Sequence, residues 1–245
     1  MECGDSARVI TFFWDGALQE SKEIELDEAA AQHAKVRRVS EGEAARVLDG
    51  KGRIATGKIG RISKSGLRLT IDRVTSVAPP TPLELVVPVA DKDRMLWAAE
   101  KCAELQITRW IPTHFARSKS VSPRGEGDKF REKVDARMRA ALEQSGGAWL
   151  PQIADEAESS AAFESVQSGT RLLLDAKGER LGAMIGDGPL GLAVGPEGGL
   201  EMSEVDAALS SGWRLASIGS TILRFETAAV AAVAAVRATQ IIPGR

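Results

Sequence analysis

The sequence predicts an α/β protein of two domains, a small β-barrel-like one over residues 1–77 and a larger one with a mainly parallel sheet over 78–245. Three observations carry this expectation. Short β-branched or alternating runs, joined by glycine-containing turns, fill the first 77 residues. Ala78-Pro79-Pro80-Thr81-Pro82 then sets three prolines in four positions, which removes backbone donors and stiffens a linker. Beyond it, apolar strand-like runs alternate with amphipathic helical patterns, as βα units do.

In the first domain, Val9 to Trp14 is β-branched and aromatic and ends at Asp15-Gly16. Asp27 to Lys35 reads as the one helix. Ala44 to Leu48 precedes an Asp49-Gly50 turn, and Arg53 to Ile62 follows it. After Ser65-Gly66, Leu67, Leu69 and Ile71 alternate with polar residues, the period of a half-buried strand. In the second domain, Leu83 to Val89 is a buried strand. Asp93 is a candidate cap for a helix whose apolar face is Met95, Ala98, Ala99, Cys102 and Leu105. Arg109 to Pro112 is a short strand, and Phe130, Val134, Met138, Ala141 and Leu142 mark a helix that Gly146-Gly147 ends. Arg171 to Asp175, Leu190 to Val194 and Leu215 to Ile218 are further strands. Glu201 to Ser211 and Glu226 to Ile241 are further helices.

Composition narrows the function. Forty-three per cent hydrophobic and 27% charged residues describe a globular protein, not a disordered one. Cys3 and Cys102 form no CxxC, and two histidines, His33 and His114, supply a metal centre poorly, so no metal site is expected. No apolar run reaches the roughly 18 residues of a membrane span, and the N-terminus has no signal-peptide core. The expected address is cytoplasmic. A net charge of −2 advertises no nucleic-acid ligand by itself, yet leaves room for a local basic face.

Ligands of parallel sheets bind at the carboxyl ends of strands, and two strand ends here carry unusual loops. The first is Gly195-Pro196-Glu197-Gly198-Gly199. Its glycines admit close approach of backbone to a ligand, although a tight βα turn would use them equally. The run lacks both the Gly-Lys-Ser/Thr of a phosphate loop and the GxGxxG of a dinucleotide fold. The second runs from Gly219 through Ile222, Leu223, Arg224 and Phe225 to Glu226, where two charges interrupt an apolar stretch. Charges in such a place need partners or a use.

Together, GPEGG at 195–199 and IGSTILRFETAA at 218–229 resemble the cofactor signature of the SPOUT methyltransferases. Within them the chain is most similar to the enzymes that methylate N3 of a uridine in 16S ribosomal RNA. The likeness includes FFWDG at 12–16, LDGKG at 48–52, DKDRM at 91–95, EKCAEL at 100–105, RS at 117–118, EQSG at 143–146 and LLLD at 172–175. The resemblance implies a PUA-like RNA-binding domain, a SPOUT domain with a deep trefoil knot, and a homodimer. It implies S-adenosylmethionine as cofactor, and 16S rRNA or the assembled small ribosomal subunit as partner. The cofactor residues it implies are Leu174, Gly195, Pro196, Glu197, Gly198, Gly199, Ile218, Gly219, Ser220, Ile222, Leu223 and Thr227.

Uridine N3 must lose its proton for methyl transfer. Arg224 is the candidate to stabilise the resulting charge, because arginine is a poor proton acceptor. Glu226 and Glu197 are candidate bases, or partners for Arg224 and backbone amides. Lys35, Arg37 and Arg38 after His33, and Arg117 and Lys119 in a Ser/Gly/Pro-rich loop, are candidate RNA contacts; each cluster alone reads equally as a solvated face. A ribose 2′-O-methyltransferase and a non-catalytic RNA binder are the rival functions. Three departures stand out: Gln106 replaces the family's glycine after Glu-Leu, Gly147 replaces an arginine after EQSG, and Glu201 replaces a Ser/Thr cap.

Overall fold

A computed structural model describes residues 9–118 and 124–240. They fall into two units, one of residues up to Pro79 plus Leu142–Trp149, the other of Pro80–Ala141 and residues from Leu150. The division thus lies two residues beyond the expected border, and 142–149 leaves the second domain for the first. Close packing explains the transfer. The Gly52 N–H donates to Ala148 O at 2.9 Å, and Trp149 Nε1 donates to Val77 O at 3.0 Å and Ala78 O at 3.1 Å. Gly52, at φ +90°, lies so near the indole that a Cβ there would meet Trp149 at 2.3 Å.

The first unit contains β1 (Ile10–Phe13), β2 (Glu23–Leu26), α1 (Glu28–Val36), β3 (Ala44–Leu48), β4 (Arg53–Ile62) and β5 (Leu67–Ser76). They form a five-stranded sheet in the order β1-β3-β4-β5-β2, antiparallel except for β1 with β3. Leu67, Leu69 and Ile71 are wholly buried with Phe12, Leu18, Val47 and Ile59, each contributing about 1.5–3 kcal/mol by burial. Asp27 caps α1 by accepting from Ala30 N at 2.9 Å. Strand β2 escaped sequence reading, because four residues with only Ile24 and Leu26 buried carry too little periodicity. His33 packs edge-on against Phe12, centroids 5.8 Å apart. Burial, aided by Arg37, lowers its pKa, which favours a packed imidazole. Burial raises the pKa of Glu143, assisted by Asp27 and opposed by the Phe13 N–H that the carboxylate accepts at 2.8 Å.

The second unit comprises β6 (Leu83–Pro88), α2 (Lys92–Glu104), β7 (Arg109–His114), most of α3 (Asp128–Ser145), β8 (Gln152–Ile153), β9 (Ala157–Glu158) and α4 (Ser159–Ser165). It continues with β10 (Thr170–Arg180), α5 (Leu181–Met184), β11 (Leu190–Ala193), α6 (Met202–Ser210), β12 (Arg214–Ser217) and α7 (Phe225–Thr239). Every recorded pairing in its sheet is parallel, in the order β12-β10-β11-β6-β7-β8, with β9 also on β7. The chain passes β10 between β11 and β12, and α7 then packs on α2, β6 and β11. Asp91, not Asp93, caps α2: its Oδ1 accepts from Asp93 N at 3.1 Å and Arg94 N at 3.0 Å. Trp213 stacks edge-on against Phe163 at 5.3 Å between α4 and the sheet. Ile241, expected as the end of the last helix, lies outside the described residues. No helix among the described residues is long and apolar enough to cross a membrane.

Two of the three departures resolve locally. Gln106 sits at φ +62°, so the turn after α2 keeps the left-handed geometry that glycine adopts freely. Glu201 precedes α6, and its N–H donates to Glu204 Oε2 at 2.9 Å, so the side chain three residues on supplies the cap.

Candidate active site

Strand order builds the site. β10 lies between β11 and β12, so their carboxyl ends bring residues 195–200, 174–177, 216–219 and 221–223 around one cavity of about 490 Å³. β10 contributes through an interruption. Leu174 and Glu179 both pair with Ala216, so residues 175–178 loop out of the ladder. A Cβ at Gly178 would lie 2.4 Å from Ala216 N, so the return to the ladder needs glycine there.

Of the expected cofactor residues, Leu174, Gly195, Pro196, Glu197, Gly198, Gly199, Ile218, Gly219, Ile222 and Leu223 line this cavity. Ser220 and Thr227 are exposed and stand outside the lining. Sequence reading missed the looped-out Asp175, Ala176 and Lys177, and also Phe225 and Ala228, whose three-residue spacing puts both on one face of α7. Val194, Leu174, Ile218, Leu223, Phe225 and Ala228 give apolar walls, while three strand ends and the glycine loop give main-chain polar groups. Such a mixture suits a ligand with a flat apolar ring and hydrogen-bonding edges.

The glycine loop is also shaped by the protein itself. A Cβ on Gly198 would stand 3.0 Å from Arg117 Cβ and 3.3 Å from its carbonyl oxygen. Gly199 has φ +72°, a region that suits glycine. Arg117 lies over this loop, with Nη1 donating to Gly198 O at 3.3 Å and Nε 3.9 Å from Glu201 Oε1. Glu204, buried at the start of α6, secures the arrangement: its Oε1 accepts from Ala116 N at 2.9 Å while Oε2 accepts from Glu201 N.

The two charges of the second loop separate. Arg224 is the exposed N-cap of α7, and among the described residues its side chain has neither ion pair nor hydrogen bond. Glu226 is 8% exposed, and Arg94 on α2, not Arg224, is its partner. Arg94 Nη1 also holds Glu197 of the glycine loop. Arg94 lies in DKDRM, where its only sequence signal was the family motif.

Lys35, Arg37 and Arg38 are all exposed at the end of α1, Arg38 at φ +57°. Lys119 lies outside the described residues. His114, Glu126 and Glu156 bring possible ligating atoms within 4.8 Å of one another. Arg124 already supplies a cation there, donating to His114 Nδ1 at 3.2 Å and lying 3.5 Å from Glu126, while His114 Nε2 meets Glu156 at 2.9 Å.

Comparison with known proteins gives one family. Residues 78–237 match the RNA methyltransferase domain, and residues 26–72 match the RNA methyltransferase PUA domain. The chain is 31% identical over 218 residues to the ribosomal RNA small subunit methyltransferase E of Mycobacterium tuberculosis (strain CDC 1551 / Oshkosh), covering 83% of this chain and 81% of that protein. It is 26% identical over 236 residues to the protein of the same name from Rickettsia conorii, covering 90% and 91%. Its fold is similar to the crystal structure of a ribosomal RNA small subunit methyltransferase E from Neisseria gonorrhoeae bound to S-adenosyl methionine. There the TM-score is 0.85 and the identity 26%, over 95% of this chain and 98% of that one. Two loops at neighbouring strand ends, a PUA domain before them and relatives along most of the length lead to one assignment: the chain belongs to the ribosomal RNA small subunit methyltransferase E family.

Proposed function

We propose that this protein methylates N3 of a uridine in small-subunit ribosomal RNA, using S-adenosylmethionine. The observation that carries the reading is the convergence of GPEGG and IGSTIL on one cavity at adjacent carboxyl ends of a parallel sheet. S-adenosylmethionine supplies a methyl group activated by its sulfonium. The apolar walls bury a nucleoside ring, the open main chain of 195–199 takes its polar edges, and the looped-out 175–177 closes the third side. Holding the two reactants in line is the main demand of such a transfer.

Arg224 stands beside the cavity with no partner among the described residues, free to place its guanidinium against the charge that develops on the uracil ring. A guanidinium is a poor proton acceptor, so its role is electrostatic. Glu226, expected as a catalytic group, is engaged by Arg94 through Oε1 and keeps Oε2 without a partner among the described residues. RNA is held by Lys35, Arg37 and Arg38, with Val36 at 69% exposure offering apolar contact between them. A second copy of the chain covers the exposed Ile222 and Met202, and the knotted path and cytoplasmic address belong to the same reading.

Calorimetric titration with S-adenosylmethionine, followed by mass spectrometry of 16S rRNA incubated with protein and cofactor, tests this. A methyl on uracil N3 is expected. A methyl on the ribose 2′-oxygen, or no cofactor binding, would overturn the proposal.

A further inference from the structure

We infer that Arg94 is a positioning residue for the cofactor cavity, one guanidinium that ties the glycine loop after β11 to the start of α7. The inference rests on the S-adenosylmethionine reading of that cavity and adds a residue to it. Arg94 stands in the first turn of α2, fixed by its own N–H on Asp91 and by the fully buried Met95 beside it. Its Nη1 pairs with Glu197 Oε1, and its Nε lies 3.9 Å from Glu226 Oε1. Glu197 belongs to one wall of the cavity. Glu226 follows the segment 218–224 that forms the other, and it flanks the lining residue Phe225.

The two carboxylates differ in what they need. The Glu197 side chain is 40% exposed, so water can solvate it alone. That of Glu226 is 11% exposed, with Oε2 unpartnered among the described residues, so Arg94 is the recorded cation that offsets its burial. Without Arg94, the start of α7 must move to hydrate Glu226, and the glycine loop loses its lateral anchor. Both walls shift although Arg94 lines neither. A salt bridge serving only global stability would loosen the whole second unit instead.

Hydrogen–deuterium exchange of the protein alone, with calorimetric S-adenosylmethionine titration and steady-state kinetics, separates these possibilities. Arg94→Ala is expected to speed exchange at Gly199 and in 228–231, the first hydrogen-bonded turn of α7, while β6 and β7 keep their protection. Cofactor affinity should fall by roughly three- to tenfold, with KM for S-adenosylmethionine rising in step and kcat changing by less than about twofold. Arg94→Lys should restore part of the affinity, since an ammonium can serve one carboxylate but not bridge both. Adding Glu226→Gln to Arg94→Ala removes the uncompensated charge, so exchange in 228–231 should return toward that of the unsubstituted protein. Unchanged exchange and affinity in Arg94→Ala would overturn the inference. So would faster exchange throughout the second unit that neither Arg94→Lys nor Glu226→Gln corrects. If the unsubstituted protein binds no S-adenosylmethionine, the cofactor reading fails, whereas the exchange pattern, measured without cofactor, still judges the bridge.

Discussion

The two walls of the cavity are built in opposite ways. Residues 195–199 are tied from three directions: Glu197 to Arg94, Gly198 O to Arg117, and the following helix start to Glu204, which also holds Ala116. Residues 219–224 are all exposed, Ile222 at 95%, and apart from the Ser217 hydroxyl on Gly219 they have no side-chain hydrogen bond or ion pair among the described residues. One wall is braced by side chains from α2, α6 and the segment after β7. The other is tied only at its start. The glycine loop proposed to hold the cofactor thus lies on the stapled wall and the proposed catalytic Arg224 ends the loose one, so the two roles are separable by mutation.

The largest effect is expected at Arg224. Arg224→Ala should slow single-turnover methylation by about 10²–10³-fold, roughly 3–4 kcal/mol, with the melting temperature and cofactor affinity nearly unchanged. A normal rate in a stable variant would remove the chemistry from the loose wall.

Next comes the staple of the braced wall. Glu204→Ala leaves the Ala116 and Glu201 N–H groups without their acceptor, and should cost about 3 kcal/mol in denaturant unfolding. The loss should fall on the second unit alone; an unaffected melt would mean that water replaces both bonds.

Gly198→Val adds atoms where Arg117 already stands. It should cost about 1–3 kcal/mol by overpacking and weaken cofactor binding. Combining it with Arg117→Gly should recover part of both losses. Failure of that rescue would show that the ligand, rather than Arg117, is what the missing side chain makes room for.

Two smaller changes bracket the comparison. Gln106→Gly relieves a left-handed residue at the end of α2 and should stabilise the protein by about 1 kcal/mol without altering cofactor affinity, because neither wall includes it. Ile222→Ser, at the exposed tip of the loose wall, should cost about 1 kcal/mol of stability, in a way that depends on protein concentration, because the proposed second copy covers that side chain. A change below about 0.5 kcal/mol at every concentration would remove Ile222 from a contact between copies.

Much of this was legible along the chain because it depends on neighbours. The alternation of Leu67, Leu69 and Ile71, the apolar face from Met95 to Cys102 and the loop glycines each report on local backbone, and the structure keeps them. Glu226 was legible as a charge needing a partner, but its partner is 132 positions away, and nearness in sequence pointed to Arg224 instead. Thr227 and Ser220 share the second loop with lining residues yet turn away from the cavity, since helical and turn geometry sends successive side chains in different directions. Asp175 reads as the end of a strand, and only pairing with β12 shows that the ladder opens there and closes again at Glu179.

By itself, the sequence determined the α/β class, the proline-rich border region and the two loops that line the cavity, because periodicity, backbone permissiveness and charge are properties of a short stretch of chain. The tertiary structure alone decided that 142–149 belongs with the first unit, that β10 stands between the two loop-bearing strands, and that Arg94, Arg117 and Glu204 hold one wall while Arg224 has no partner among the described residues. The physical reason is range. A turn or a helix face is set over a few residues, whereas an ion pair or a strand neighbour is set by packing, which joins residues a hundred positions apart with no trace in the local pattern.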